Sequence, residues 1–186
     1  KYVVRFDADD ISFPNRIETL VNYLENNLTI PIASSFFEVF GGAFPHVNLV
    51  EDPLQLRTRA LFDCPVSQYI ILDNHFLKRN GINYNPNLRV AEDYDLYLRV
   101  LRKADIAKVP EVLVKYRRHK KSLTSTHYSL QDELATKLKL DLMKELFSTE
   151  LDESEKEVFM AYSFHRQLNG VSQLFLLKQI LLKVRN

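Results

Sequence analysis

The stretch KYVVRFDADDISFPNRIETL, at the start of the chain, changes character twice within twenty positions. Lys1–Phe6 have the β-branched and aromatic composition of a strand. Asp7, Asp9 and Asp10 then crowd three carboxylates into four positions. Ser12, Phe13 and Pro14 read as a helix start, with a capping hydroxyl and a proline in the first turn. Ile17, Leu20, Val21 and Leu24 follow at helical spacing. A strand that passes through a short turn directly into a helix is the repeating unit of α/β folds. Carboxylates packed this closely repel one another unless something positive sits among them.

The same alternation continues downstream. IPIASSFFEVFGG and PVSQYIIL read as strands, PLQLRTRALF as a short helix, and DNHFLKRNG as a brief capped helix ended by Gly81. AEDYDLYLRVLRKA reads as a helix with acids in its first turn, which suits the helix dipole. IAKVPEVLVKYRRH reads as two strand segments broken by Pro110. The expectation is a mostly parallel α/β sheet. From Ser129 onward only helices are expected, with Leu130, Leu134, Leu138, Leu142 and Leu146 in a four-residue row. This divides the chain into an α/β unit over 1–124 and a helical appendage over 125–186.

Composition narrows the function classes. With 25 basic and 24 acidic residues the net charge is +1, so no general affinity for nucleic acid is implied. Cys64 is the one cysteine, which leaves no disulfide framework or thiolate zinc site and fits a reducing compartment. The apolar run VSQLFLLKQILLKV is interrupted by lysine and is shorter than the roughly 20 residues of a membrane span. Lys178, Lys183 and Arg185 among its leucines suit either an anionic membrane face or packing on the core.

Three clusters can carry chemistry. Asp7, Asp9 and Asp10, at a strand's carboxyl end, can hold Mg²⁺ or Mn²⁺, which take one or two carboxylates and complete their shell with water and phosphate oxygens. They can equally form a solvated turn. A calcium-loop reading fails because Ile11 and Ser12 occupy a ligand position and the turn-glycine position. A phosphatase of the haloacid dehalogenase type fails because Asp10 and Ile11 stand where glycine and threonine are needed. Glu92 and Asp93 open a helix after a polar loop, where a carboxylate can act as general base or simply complement the dipole. Arg117, Arg118, Lys120 and Lys121 surround His119, a set that can pair with phosphate and ligate metal or can be a basic surface loop. A metal-bound diphosphate would explain the first and third clusters together and leave a carboxylate of the second free as base. That is the chemistry of glycosyl transfer from a nucleotide-diphosphate sugar.

At these residues the sequence resembles the family 2 glycosyltransferases, inverting enzymes of GT-A fold. FDADDISFPNRIETLVNYL is similar to that family's metal-binding strand end, NPNLRVAEDYDLYLRVLRKA to its acceptor-side acidic motif, and VLVKYRRHKKSLT to its closing segment. The likeness runs from Lys1 to about Thr124. It implies that Asp7 and Asp9 hold metal and donor, with Asp10 and Arg16 beside them. It further implies Glu92 on the acceptor side, Asp93 as catalytic base, and Arg117 and His119 at the diphosphate or its metal, with Ser122 in the same motif. The implied partners are a nucleotide-diphosphate sugar and a saccharide or lipid-linked saccharide acceptor, in surface polysaccharide or lipopolysaccharide synthesis, in the cytoplasm or at the inner membrane face. Two departures stand out. The nucleotide-binding opening of the family, on the order of 80–90 residues, is absent, and Ser67-Gln68-Tyr69 replace a His-Pro-Ser-like segment after Cys64-Pro65. A strand at Lys1–Phe6 without its neighbours is an exposed apolar edge, so self-association and weak UDP binding are expected of this chain alone. A non-catalytic fragment that binds sugar nucleotide or a partner is the competing function.

Overall fold

A computed structural model describes residues 1–40, 53–66, 69–117, 128–148, 150–163, 168 and 170–185. The elements in chain order are β1 (Tyr2–Val4), β2 (Ile11–Ser12), α1 (Arg16–Asn26), β3 (Ile32–Phe40), α2 (Pro53–Arg59), β4 (Ile70–Asp73), α3 (Asn74–Arg79), α4 (Glu92–Leu101) and β5 (Ile106–Arg117). Three helices follow: α5 (Tyr128–Phe147), α6 (Glu153–Ser163) and α7 (Val171–Arg185). The α/β class is as expected.

The sheet, however, is mixed rather than mostly parallel. Its strand order is β1-β4-β3-β5-β2, and only β3 and β5 pair in parallel. Alternation of strands and helices fixes how often the chain returns to the sheet, and leaves open the direction in which each strand is laid down. β4 enters antiparallel to both of its neighbours. As a result β1, β3 and β5 run the same way, and their carboxyl ends share one side of the sheet.

β1 lies at the sheet edge, and Val3 is 45% exposed, so the first strand is the exposed apolar edge expected of it. Ser12 does not cap α1. It belongs to β2, paired with Val114, and α1 begins at Arg16 behind Asn15 without a side-chain cap. The proline at 110 does not split β5. Ser35 pairs with Val109 and Phe36 with Val112, so Pro110 and Glu111 leave the ladder as a bulge in one continuous strand.

Two apolar layers sandwich the sheet. On one face Leu20 and Leu24 of α1 pack with Ala33, Ile71, Val109 and Leu113. On the other, Ile32, Ile70, Leu72 and Ile106 meet Leu56 of α2, Tyr97 of α4, and residues of all three C-terminal helices. Among the described side chains of α5, Ala135, Lys139, Leu142 and Met143 are buried, while Leu134 and Leu138 are only partly buried. A row of four-residue steps precesses by about 40° per step around a helix of 3.6 residues per turn, so Leu134, Leu138 and Leu142 do not share one direction, and of these three only Leu142 is buried. Locally coded features fared better. Asp73 caps α3 by accepting from His75 N and Phe76 N. Gly81, at φ 62°, closes it with Gly81 N to Lys78 O and Ile82 N to Leu77 O, the paired bonds of a left-handed glycine stop. No helix among the described residues is long and apolar enough to cross a membrane.

Candidate active site

The acidic turn spans the carboxyl side of the sheet. β1 and β2 occupy opposite ends of the strand order, yet only six residues separate Val4 from Ile11. Four strand spacings amount to about 19 Å along the sheet, against about 23 Å for seven extended residue steps. Because part of that length is taken up by the turn that brings Asp10 N within 3.3 Å of Asp7 O, the sheet must curl to let the chain cross from β1 to β2. This crossing carries all three aspartates.

Asp10 fastens the crossing. Its Oδ2 accepts from the Tyr69 hydroxyl at 2.5 Å and its Oδ1 from Arg117 N at 2.6 Å, which ties the turn to the start of β4 and the end of β5. Arg117 adds a bond from Nε to Asp9 O at 2.7 Å while its guanidinium stacks 4.5 Å from the Phe40 ring centre. The first and third sequence clusters are thus in contact through Arg117. Beneath the turn lie Phe6, Tyr69, Phe37 and Tyr116, with ring centres 5.8–6.3 Å apart. Burial, and then Asp10 and Asp7, push ionisation of the Tyr69 phenol far above its ordinary range, so it remains a donor.

Arg16 is 1% exposed and lies under the turn, donating from Nη2 to Arg5 O at 2.9 Å with its guanidinium 4.8 Å from the Phe6 ring centre. Its pKa is lowered by burial against a smaller opposing effect of Tyr69. The structure gives Arg16 and Asp10 contacts within the protein. Asp9 is exposed and Asp7 half-buried.

Arg5 brings in the second cluster. Arg5 N extends the β1–β4 pairing by donating to Ile70 O at 3.0 Å, and its side chain reaches α4. Nη2 lies 3.4 Å from Glu92 Oε1 and Nη1 3.5 Å from Asp93 Oδ2. Burial alone would lower the pKa of Arg5, but Tyr84, Asp93 and Tyr97 more than offset it and the guanidinium stays charged. So a residue two positions before Asp7 holds both acids at the start of α4.

That helix start is unusual. Ala91 has φ 57° and ψ 19°, a left-handed conformation that costs an L-residue roughly 1–2 kcal/mol. It turns the chain sharply into Glu92 and Asp93, both half-buried. Behind them Tyr94 donates its hydroxyl to Ala60 O, and the buried Asp95 pairs with Arg99 at 2.6 Å. Cys64 is held beneath, its thiol pushed up by burial first and then by Asp93 and Asp63.

His119 and Ser122, with Arg118, Lys120 and Lys121, fall outside the described residues. Among the described residues, no group of three or more histidine, cysteine and acidic side chains is arranged to hold a metal ion. A two-carboxylate donor set from Asp7 and Asp9 fits Mg²⁺ or Mn²⁺, which fill their remaining positions from water and phosphate. Sequence reasoning missed Arg5, Tyr69 and Ala91. An arginine at the end of an otherwise apolar strand was a usable signal for the first. Nothing local marked the other two.

An uncharacterized glycosyltransferase of Haemophilus influenzae is 32% identical over 151 residues, spanning 75% of this chain and 47% of the relative. The chain is similar to glycosyltransferases. A second, from Methanocaldococcus jannaschii, is 29% identical over 125 residues, 63% of this chain and 42% of the relative. The chain therefore spans about half the length of the curated relatives it matches. Among solved structures, S. aureus TarS 1–349 superposes with a TM-score of 0.52 over 88% of this chain and 45% of that one, at 14% identity. Another TarS structure gives 0.54 over 98% and 34%, at 15% identity. At such identity the likeness is one of fold, and it places the mixed sheet and its helices within the architecture of TarS. No protein-family model matches the chain.

Proposed function

We propose that this chain is the acceptor-side part of a metal-dependent, inverting glycosyltransferase of family 2 that moves a sugar from a nucleotide diphosphate to a hydroxyl acceptor. The observation that carries the reading is Arg5. It joins the acidic turn to Glu92 and Asp93, while Arg117 joins the same turn to the end of β5. Carboxylates, a guanidinium and a helix-borne acid therefore flank one side of the sheet, beyond the carboxyl ends of β1, β3 and β5, where α/β sheets bind ligands.

Each residue has a distinct task in this scheme. Asp7 and Asp9 would hold Mg²⁺ or Mn²⁺, and His119 would add a ligand; when bound, the ion screens charge on the leaving diphosphate. Asp10 and Arg16 hold the turn that presents those carboxylates to the donor. Arg117, already fixed on Asp9 O, offers its guanidinium to phosphate oxygens. Asp93 takes the proton from the acceptor hydroxyl as that oxygen attacks the anomeric carbon, and the bond from that carbon to the diphosphate oxygen breaks. Attack from the face opposite the leaving group inverts the centre. Glu92 orients the acceptor. The acceptor is a saccharide or lipid-linked saccharide of surface polysaccharide or lipopolysaccharide synthesis, and the reaction is cytoplasmic.

The second reading is a fragment that binds sugar nucleotide or a partner without turnover, and the coverage of about half of each relative favours it for the 186-residue chain taken alone. The test is Asp93→Asn in a full-length parent, assayed for nucleoside-diphosphate release across a panel of nucleotide sugars. Transfer should fall at least a hundredfold while calorimetric binding of UDP with Mn²⁺ persists. Equal turnover by both proteins would reject Asp93 as base, and a parent inactive with every donor would favour the binding fragment.

A further inference from the structure

The last helix has two apolar faces, and only one is used. Leu177 and Ile180 of α7 enter the core. On the opposite side Val171, Leu174, Phe175, Leu181 and Leu182 are exposed, Val171 by 82% and Phe175 by 61%. At 100° per residue these five lie within one stripe, with Lys178 at its centre. Lys178 is exposed and makes no ion pair among the described residues, whereas Lys183 is paired with Glu155 of α6.

Charge along the sequence is segregated in the same place. From Val158 to Asn186 the chain has four basic residues and no acidic one, a local charge of +4 in a chain whose net charge is +1. All 24 acidic residues lie before this segment. An apolar stripe centred on a lysine and free of acids, in a segment of net positive charge, complements a surface that is apolar inside and anionic at its boundary.

A second copy of the chain fits this face poorly. Lys178 is the midpoint of Val171–Arg185, so packing two such stripes together, in either direction, would set Lys178 against Lys178 in a desolvated seam. Lipid headgroups instead supply the missing negative charge, and a lysine stem can lie along apolar surface while its ammonium reaches the phosphate layer.

We propose that α7 docks this chain on an anionic lipid bilayer, lying flat with Val171, Leu174, Phe175, Leu181 and Leu182 in the acyl boundary and Lys178 at the phosphates. The inference rests on α7 alone and stands whether or not the transferase reading holds.

Sedimentation of the 186-residue chain with phosphatidylcholine vesicles, with and without one quarter phosphatidylglycerol, tests it. The chain should bind the anionic vesicles at least tenfold more tightly than the neutral ones and lose most of that preference in 0.5 M NaCl. L174E/F175E should weaken binding tenfold or more, and K178E severalfold. The chain lacks tryptophan, so L181W gives a direct reporter whose emission should shift to the blue on anionic vesicles. No shift and no sedimentation at millimolar lipid would overturn the proposal. So would a dimer in light scattering that L174E/F175E converts to a monomer, because a second copy would then cover the face.

Discussion

Replacing Tyr69 with phenylalanine removes one oxygen from beneath the acidic turn and leaves the ring in place. The contacts of that ring with Phe6, Phe37 and Tyr116 survive, so little apolar burial is lost. What goes is the 2.5 Å bond to Asp10 Oδ2. Hydrogen bonds to a charged group contribute about 1.5–3 kcal/mol, and Asp10 keeps its other bond from Arg117 N, so a loss of about 2 kcal/mol is expected. For a chain of this length that corresponds to a melting point lower by about 4–8 °C. Urea unfolding of Tyr69→Phe, Asp10→Ala and the double variant closes a cycle in which the two positions should couple by at least about 1 kcal/mol. Additive effects, with coupling under about 0.5 kcal/mol, would show that the crossing is not held by this bond. In a full-length parent the same substitution should also weaken Mn²⁺-dependent UDP binding, because the turn bearing Asp7 and Asp9 loses one of its anchors.

Other perturbations probe the rest of the site. Ala91→Val should cost more than about 2 kcal/mol, since a β-branched residue is poorly tolerated at φ 57°, whereas Ala91→Gly should stay within about 0.5 kcal/mol of the parent; thermal melts giving both the same loss would refute the backbone argument. Arg5→Met leaves Glu92 and Asp93 without their shared cation and should cost about 1 kcal/mol in urea unfolding, and Arg5→Lys should recover less than half of it because one ammonium cannot span both acids. Lys108 is buried, and burial first, then Arg59, brings its pKa down to about 8. A lysine whose folded pKa lies below its unfolded value binds fewer protons folded than unfolded between about pH 8 and 10.5, so stability should rise with pH there, by at most about 1.4 kcal/mol per pH unit for this group. Tyr94 and Tyr97, pushed up by burial, oppose this above about pH 10, so the window to measure is pH 7.5–9.5. Lys139, brought down to about 8 by burial as well, adds to the same slope, and the buried Cys64 thiol opposes it. Lys108→Met should therefore remove up to about half of the rise across that window; an unchanged slope would mean that other groups produce it.

The parts of the fold legible in the sequence were those coded by neighbours along the chain. Gly81 ends α3 because a left-handed residue is needed within the helix stop itself, and Asp73 caps the same helix from the adjoining position. Asp7, Asp9 and Asp10 form a turn between β1 and β2 because three carboxylates crowded into four positions cannot all be buried. Tertiary context overrode the local signals elsewhere. Ser12 has a capping hydroxyl yet pairs with Val114, since a ladder bond to β5 was available to it. Pro110 breaks a strand on its own, but a two-residue bulge costs less than abandoning a pairing that runs on to Arg117.

From sequence alone came the α/β class, most element positions and the three clusters of charged residues, because each depends on composition and spacing within a few turns of chain. The exposed edge at the first strand was expected from the sequence. Strand direction and the crossing of the acidic turn from one end of the sheet to the other belong to the tertiary structure, because they depend on which strands lie side by side. The same holds for Arg5 meeting Asp93 across 88 positions and Asp10 meeting Tyr69 across 59. Such contacts form only after chain closure has brought remote segments together, and no local pattern records which pair will meet.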